Sequence, residues 1–506
     1  MTSRYLPSIA LVVLGAALFL AGCDALDPTE VENPRTTDED LAQAERPTAA
    51  LLDGLRTQFA RALGAAVVTT ELASDNSAIH GTGLGGNTLD FPRRVTPNTS
   101  ILNCTFVDCL YWNLQELRAQ GDFLLEDIAP DDENATPAQL AEAHYYRGMA
   151  FLMQGENFVA VPTTPDSAAV PAAGLLARAQ TDFSAALDMT DSGPSDLAVR
   201  VNAALARTHR ALGNAGPAQR FAQAALEAGG DTFLYDQPYD PGTVDDLENP
   251  PHDYLVERAL QEMQPLPRLD FLDPKYTTPS SAIPVASAEE MRLILAEVAL
   301  ANDNPSGAKT QLERAIDVAA TRDSVTFDDV DPRLNLESDT RPDTSALSIR
   351  FRPGAPAVDG LVLNRPGTVT IPAVSGTHVT PAQVNSASGT ELTRLFYLLR
   401  QELLFLEGHR MHDLGIRLPM MLREIETSSA ISGGDPGTEV RVPEYVPADN
   451  EMDLYDPSVI YGGEGRNTGP GVPLTTTEIT MLHDMNRVLA EERGLVIENP
   501  MLPGQQ

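Results

Sequence analysis

The chain has 506 residues and carries 72 acidic side chains against 35 lysines and arginines, a formal net charge of -37 at pH 7. A field of this sign repels phosphate backbones, so the composition argues against a nucleic acid partner. Hydrophobic residues make up 42% of the chain, which is enough for one large buried core or two coupled ones.

Residues 1–22 have the pattern of an export signal. Arg4 precedes an apolar run from Leu11 to Leu20, which is too short to span a bilayer that requires about 20 apolar residues. The sequence Leu-Ala-Gly-Cys then ends at Cys23 and forms a lipobox, in which small residues admit a signal peptidase and the cysteine thiol takes a diacylglyceryl group. An ordinary secretory peptide with a chance cysteine is the alternative. We expect lipidation at Cys23, which would tether the protein to a membrane that it does not span.

Residues 23–45 are predicted to be a flexible acidic tether. The segment is rich in Asp and Glu and poor in apolar residues, so it cannot bury enough surface to fold by itself. It would join the lipid anchor to the folded part of the chain.

Residues 46–320 are predicted to form a tetratricopeptide-like helical scaffold with long insertions. Small residues recur there at the offsets that let paired helices touch, namely Ala206, Gly213, Ala218 and Ala225, then Ala296, Ala308 and Ala315. A further unit begins at Gly148 and Gly155, and its second helix contains Ala179, Phe183 and Ala186. Residues 49–63 and 110–128 are predicted to be an earlier pair. We therefore expect a mainly α protein in which about four helix pairs stack into a superhelix.

Two cysteines remain besides Cys23. Cys104 and Cys109 lie five residues apart in a predicted loop, with no histidine or further cysteine close by. A local disulfide is favoured over a metal site, because the export signal places the chain in an oxidising compartment.

Residues 321–506 are predicted to be a loop-rich C-terminal subdomain. Long stretches of this part are rich in Pro, Gly, Asp, Ser and Thr, with few periodic apolar runs. Loops of this length are usually functional or disordered.

One buried segment stands out within this subdomain, at residues 395–417. Apolar residues cover so much of its predicted helix that little can face water, yet it carries Arg400, Glu407, Arg410 and Asp413, and charges on a buried helix must be paired. Arg410 lies three residues from both acids, so we expect an acid, base, acid ladder on one face. Gly408 interrupts the helix and indicates a bend or a close backbone contact.

The 395–417 segment resembles the C-terminal signature of the SusD/RagB family, a helix that reads approximately E-R-x-x-E-L-x-x-E-G-x-R-W-x-D-L-x-R. The matching positions are Arg400, Leu404, Glu407, Gly408, Arg410, Asp413 and Leu414. Leu399, Leu403 and Met411 depart from the pattern, and the closing basic residue, Arg417, falls one position late. The resemblance implies a SusD-like fold in which the loop-rich C-terminal subdomain covers the repeats. It also implies that the signature is structural and does not mark the ligand site.

The resemblance also implies a function. Members of the family are surface lipoproteins that capture a nutrient, most often a glycan, and cover a SusC-like TonB-dependent channel of the outer membrane. We therefore expect an oligosaccharide or peptide ligand, a SusC-like receptor as partner and a location on the outer membrane facing the cell exterior. The competing hypothesis is a tetratricopeptide-type lipoprotein adaptor for outer-membrane assembly, against which the long insertions and the signature argue.

The ligand-binding residues are not part of the family signature, so candidates are chosen by chemistry. Sugar faces need aromatic platforms, and sugar hydroxyls need amides and carboxylates. The candidates are Asp75, Asn76, His80, Asn87, Tyr235, Tyr239 and Tyr276, with Tyr445 and Tyr461 as further loop tyrosines. The sole tryptophan, Trp112, is expected to lie in the core of a repeat.

Nothing in the sequence indicates an enzyme. It contains no P-loop, H-E-x-x-H or G-x-S-x-G motif. His409, His412 and Asp413 could present metal ligands at helical spacing, but a structural role is favoured because they lie in the signature of a buried helix. We expect no cofactor, no metal and a ligand that is bound without being transformed.

Overall fold

The computed structural model describes residues 46–78, 88–99, 109–190, 196–242, 247–257, 263–329, 348–363, 367–448, 452, 454–456 and 478–502. Cys23 and the predicted tether lie outside these residues. The helices are α1 Pro47–Leu72, α2 Leu110–Asp122, α3 Pro137–Asn157, α4 Ala172–Leu187, α5 Leu197–Ala211, α6 Ala215–Gly229, α7 Pro250–His252, α8 Ala288–Ala301, α9 Pro305–Ala319, α10 Pro381–Ser386, α11 Thr390–Leu403, α12 Arg410–Asp413, α13 Leu422–Thr427 and α14 Met485–Val488. In these ranges no helix combines the length and the apolar character needed to cross a membrane.

The predicted helix pairs are confirmed. The first pair is α1 with α2, followed by α3 with α4, α5 with α6 and α8 with α9. Each pair also packs on the next, because α2 contacts α3, α4 contacts α5 and α6 contacts α8. The protein is therefore mainly α, with stacked helical hairpins of the tetratricopeptide kind.

Small residues allow the paired helices to approach closely. A Cβ atom added at Gly148 on α3 would lie 2.6 Å from the ring of Phe183 on α4. One added at Gly155 would lie 2.7 Å from the side chain of Leu176. The predicted alanines of the later pairs are all buried: Ala206, Ala218, Ala225, Ala296, Ala308 and Ala315. Any larger residue at these positions would push the helices apart.

Short strands occupy the segments between and after the helix pairs. They are β1 Ser77–Ala78, β2 Ala160–Val161, β3 Val170–Pro171, β4 Leu234–Gln237, β5 Gln264–Pro265, β6 Ile283–Ser287, β7 Ser324–Asp329, β8 Ser348–Arg350, β9 Ala357–Asp359, β10 Gly367–Pro372, β11 Leu454–Asp456 and β12 Glu478–His483. Antiparallel pairs form from β1 and β5, β2 and β3, β4 and β6, and β7 and β10. The largest sheet has the order β11-β12-β8-β9, with β12 and β8 parallel.

Two hydrophobic clusters form the core. The larger one extends from Leu52 on α1 to Leu502 and includes the buried face of α11. The smaller one lies on the four-stranded sheet and contains Ile349, Tyr455 and Ile479. Since α11 packs on both α8 and α9, the larger cluster continues across the predicted division between residues 320 and 321.

The signature segment is not one continuous helix. It forms α11, then a turn through residues 404–409, then the single turn of α12. Leu406 and Gly408 have positive φ angles of 58° and 79°, a backbone region that glycine enters without a steric penalty. The nearest atom to a Cβ at Gly408 would be 3.6 Å away, so the bend, and not a close contact, requires the glycine.

Candidate ligand-binding site

The charged residues of the signature make long-range pairs in place of the predicted ladder. Arg410 donates to the carboxylate of Asp75 through Nε at 2.5 Å and Nη2 at 2.6 Å. Glu407 accepts from Lys275 Nζ at 2.7 Å. The prediction that Arg410 lies between Glu407 and Asp413 was wrong, because the turn at residues 404–409 separates the two acids and sends each side chain toward a different element.

Asp413 also finds its partners elsewhere in the chain. Arg400 Nε donates to it at 2.8 Å, and Arg210 Nη2 from α5 donates to it at 2.8 Å. Burial disfavours the charged carboxylate, but the positive charges of Arg400 and Arg210 hold the pKa of Asp413 well below its usual value. The segment is thus tied into the scaffold by buried ion pairs.

Two polar candidates for ligand binding lie in the interior. Asp75 is buried between Arg410 and Arg268, whose Nη2 donates to it at 2.8 Å. Asn76 is also buried, donates to Glu71 at 2.6 Å and accepts from Gln401 at 2.8 Å. Their polar groups are taken by protein partners, and neither the Asp75 nor the Asn76 side chain is presented at the surface. A sequence without contact information cannot distinguish such buried acids and amides from exposed ones.

Two of the tyrosine candidates are also core residues. The hydroxyl of Tyr239 donates to the carbonyl of Ala60 at 2.8 Å, and that of Tyr276 donates to the carbonyl of Leu406 at 2.7 Å. Both rings are buried, so Tyr239 and Tyr276 are removed as sugar platforms.

The other candidates are either half-buried or outside the described residues. Tyr235 is half-buried, with the Arg200 guanidinium 4.3 Å from its ring centroid, and it remains a candidate. Tyr445 is half-buried and donates to the carbonyl of Leu414 at 2.9 Å. His80, Asn87 and Tyr461 lie outside the described residues.

Trp112 lies on the surface, with 52% of its area exposed, so the expectation that it belongs to the core was wrong. Helix α2 buries the face that carries Leu110, Leu114 and Leu117. At about 100° per residue, Trp112 falls roughly 200° from Leu110 and therefore on the opposite face. The leucine spacing was the signal in the sequence that could have placed this ring outside.

The start of α2 is held in place by Cys109. Its sulfur accepts the backbone N–H of Trp112, as an N-cap residue does. Cys109 is disulfide-bonded. Its predicted partner, Cys104, lies outside the described residues, so the pairing of the two stays a prediction.

A cleft of about 370 Å³ opens between residues 93–97 and 438–442. This volume lies within the usual range for small-ligand sites, roughly 300–1,000 Å³. Its lining combines apolar groups with hydroxyl, carboxylate and guanidinium groups, from Arg93, Val95, Thr96, Pro97, Thr438, Glu439, Val440 and Val442. A lining of mixed apolar and polar groups can hold a molecule that has both carbon faces and hydroxyls.

Hydrogen bonds to backbone carbonyls hold the two walls of this cleft. Arg93 crosses from one wall to the other and donates to the carbonyls of Pro443 at 2.5 Å and Val446 at 2.9 Å. The carbonyl of Pro97 accepts from the Leu422 N–H at 3.0 Å. The walls are therefore held by the fold without a ligand.

Helix α13 connects the cleft to the helix that carries Trp112. Leu422, bonded to the cleft wall, begins α13, and Glu424 on the same helix accepts from the Tyr111 hydroxyl at 3.1 Å. Burial and then the charge of Glu424 raise the pKa of Tyr111 well above its usual value, so the hydroxyl stays protonated. We define the exposed Trp112 ring and this cleft together as the candidate ligand-binding site.

Metal binding finds no support in the residues described. Among them, no group of three or more His, Cys, Asp and Glu side chains could hold a metal ion. His409 and His412 are buried, and burial followed by nearby arginine charges lowers the pKa of each well below its usual value.

Searches for related proteins gave matches only among solved structures. No family model matches the sequence, and no curated protein matches it. A SusD superfamily protein from Bacteroides vulgatus ATCC 8482 is 12% identical, with a TM-score of 0.47 over 76% of this chain and 90% of that one. A SusD-like protein from Bacteroides fragilis NCTC 9343 is 11% identical, with a TM-score of 0.47 over 78% of this chain and 98% of that one.

The description of a further match names a class of ligand. It is a SusD-like carbohydrate-binding protein from Bacteroides vulgatus ATCC 8482, 12% identical, with a TM-score of 0.45 over 72% of this chain and 82% of that one. All three proteins are described as SusD-like or as SusD superfamily proteins. At this level of similarity they assign no role to any residue of this chain.

Proposed function

We propose that this chain is a SusD-like lipoprotein of the outer membrane, facing the cell exterior, that captures a glycan and delivers it to a SusC-like TonB-dependent transporter. The proposal is supported by the lipobox at Cys23, the signature at residues 395–417 and the array of helix pairs. The protein would bind its ligand without transforming it.

The observation that carries the binding role is the exposed ring of Trp112. Large aromatic side chains are usually buried, because removing their apolar surface from water contributes several kcal/mol to the free energy of folding. A flat aromatic face is suited to the carbon face of a sugar, and the cleft offers Thr96, Glu439 and Arg93 for its hydroxyls. Glycan binding therefore uses the features of this surface better than nucleic acid or metal binding does.

Replacing Trp112 with alanine should weaken glycan binding about 10- to 100-fold, the usual loss when a central aromatic residue is removed from a binding surface. The unfolding temperature should barely change, since the ring is half exposed. The measurement is calorimetric titration of the domain from Asp24 onward against a panel of polysaccharides and peptides.

Leu482 provides the matched control for that substitution. It is the other large apolar side chain exposed in the described part of the chain, at 51%. Leu482→Ala should leave the affinity unchanged. Equal affinities for wild type and the Trp112 variant would remove Trp112 from the site, and tighter binding of peptides than of glycans would change the ligand class.

The anchor makes a separate prediction. Cys23→Ala should release the protein from the membrane fraction, because the lipid chains attached to this thiol supply the membrane affinity. Fractionation and incorporation of labelled fatty acid test it, with Cys109→Ser as the control that keeps the label. A Cys23 variant that still incorporates label would overturn the assignment.

Two measurements distinguish a role in transport from catalysis and from a role in assembly. Purified protein incubated with its glycan should return the polymer intact, and solubilised membranes should yield a complex with a large β-barrel receptor. An obligate lid should bury more than roughly 2,000 Å² against that receptor. Persistent recovery of assembly machinery without such a receptor would favour the adaptor hypothesis.

A further inference from the structure

Two buried arginines near the end of the signature segment have no carboxylate partner within the described part of the chain. Arg417 is 0% exposed and Arg493 is 3% exposed. The Arg417 side chain donates to the carbonyls of Gly155 at 3.3 Å and Met501 at 3.1 Å. Arg493 donates to the carbonyls of His412 and Asp413. Both cations thus rest on neutral oxygens, although a buried charge normally requires an opposite one.

The two guanidinium groups lie close enough to repel each other. Burial and then the charge of Arg493 lower the pKa of Arg417 to about 9. Since a guanidinium stays protonated in proteins, this lowering marks a positive charge that the fold leaves uncompensated. The Tyr445 hydroxyl contacts the Arg493 side chain, donates to the carbonyl of Leu414 at 2.9 Å and lies 3.5 Å from Sδ of Met501, whose carbonyl accepts from Arg417.

Two buried carboxylates near these arginines are already paired with other arginines. Glu156, whose charge acts on Arg417, accepts from Arg207 at 2.8 and 2.6 Å. Asp413 accepts from Arg400 and Arg210. Neither acid can neutralise Arg417 or Arg493 without abandoning the pair that holds the scaffold together.

The hydrogen-bonding capacity of this cluster is not filled within the described residues. Nη2 of Arg417 is buried without a partner, and besides the two carbonyls the Arg493 side chain has only the Tyr445 hydroxyl. Both ring nitrogens of His412 are likewise buried without a partner. Burial, and then the charges of Arg417, Arg210 and Arg493, lower the pKa of His412 well below its usual value, so the ring is neutral and offers one N–H.

We propose that Arg417, Arg493 and His412 form an internal binding site for a small monovalent anion of the chloride class. The donors supply positive charge and N–H groups, which are the two requirements of an anion site. Enclosure favours a small ion, because all three side chains are buried and an anion bearing large substituents could not be accommodated without opening the core. A water molecule could accept the same N–H groups, but it would leave both charges uncompensated.

Bromide replaces chloride in such sites and scatters anomalously, so it is the direct probe. Crystals of the domain from Asp24 onward, grown or soaked in sodium bromide, should show an anomalous peak within hydrogen-bonding distance of the Arg417 and Arg493 side chains. A water at that position without anomalous signal, or bromide on the surface only, would overturn the proposal. This measurement uses the wild-type protein and does not depend on the stability of any variant.

Solution stability provides the second measurement. The midpoint of thermal unfolding should rise by several degrees as chloride replaces gluconate at constant ionic strength, since a ligand that binds only the folded state stabilises it. Arg417→Gln should abolish that rise. Arg350→Gln, which removes an equal charge from an exposed pair with Glu478, should retain it. An identical response of wild type to both anions would contradict the site.

Discussion

Replacing Arg410 with alanine should lower the free energy of unfolding by about 3–5 kcal/mol, because the substitution leaves a fully buried carboxylate without its main partner. Arg410 makes two charge-assisted hydrogen bonds to Asp75, and both side chains are buried. Arg268 and Gln401 would remain beside Asp75 but cannot reproduce the paired geometry. Chemical denaturation of the domain from Asp24 onward measures the loss.

A double-mutant cycle separates the interaction between Arg410 and Asp75 from the general effect of truncating either side chain. Asp75→Asn combined with Arg410→Met should lose much less than the sum of the two single changes, because removing both charges leaves neither unpaired. Arg350→Ala breaks an exposed ion pair with Glu478 and should leave stability nearly unchanged. Additive losses in the cycle would show that Arg410 and Asp75 do not act together.

The free energy of unfolding should fall as the pH rises from about 6.5 to 8. Two carboxyl groups that are buried in the folded protein still hold part of their protons in this range, whereas the same groups are already ionised in the unfolded chain. Burial raises the pKa of both Glu71 and Glu407 from 4.5 to about 7. A carboxyl whose pKa is raised on folding stabilises the protein below its unfolded value, and this stability is lost as the pH passes through the folded value. The full shift from 4.5 to about 7 corresponds to roughly 3 kcal/mol for each group, of which less than about 1 kcal/mol is lost between pH 6.5 and 8.

The window is chosen so that other groups do not mask the effect. The buried histidines His409 and His412 have lowered pKa values, so they destabilise the fold only below about pH 6.5, where the unfolded chain binds protons. Asp75 and Asp413 have lowered pKa values and lose their contribution only in acid, below about pH 4.

Glu71→Gln should reduce the dependence of the unfolding free energy on pH between about 6.5 and 8. The substitution removes one of the two buried carboxyl groups that lose a proton in this range. The side chain keeps its size, and its amide can still accept from Asn76, which donates to Glu71 at 2.6 Å. Glu478→Gln changes an exposed carboxyl and should leave the dependence intact. A slope identical in wild type and the Glu71 variant would show that Glu71 is already ionised in the folded protein.

The helix pairs could be predicted from the sequence because their signal is local and repeated. Positions at which two paired helices touch require small residues, and Ala206, Ala218 and Ala225 occupy such positions. This requirement produces a regular spacing of small residues that is visible in the sequence. The bend at Gly408 had a similar local signal, although the sequence alone left a close contact as the alternative.

The buried pairs and the binding surface could not be predicted in the same way. Three-residue spacing placed Glu407 and Asp413 beside Arg410, but the partner of Arg410 lies 335 positions away in the chain. Local spacing contains no information about such contacts, so Asp75 looked like any other acid of an acidic protein. For the same reason Tyr239 and Tyr276 could not be distinguished from exposed tyrosines.

The Asp75–Arg410 pair also constrains how the protein can fold. Asp75 follows α1, the first helix of the array, while Arg410 lies beyond the last helix pair. During synthesis or export the N-terminal hairpins can therefore form early, but the Asp75 carboxylate gains Arg268 as a partner only 193 residues later and Arg410 only 335 residues later. Contacts of such long range slow folding. We therefore expect the N-terminal end of the repeat array to form its helices first and to complete its tertiary contacts last.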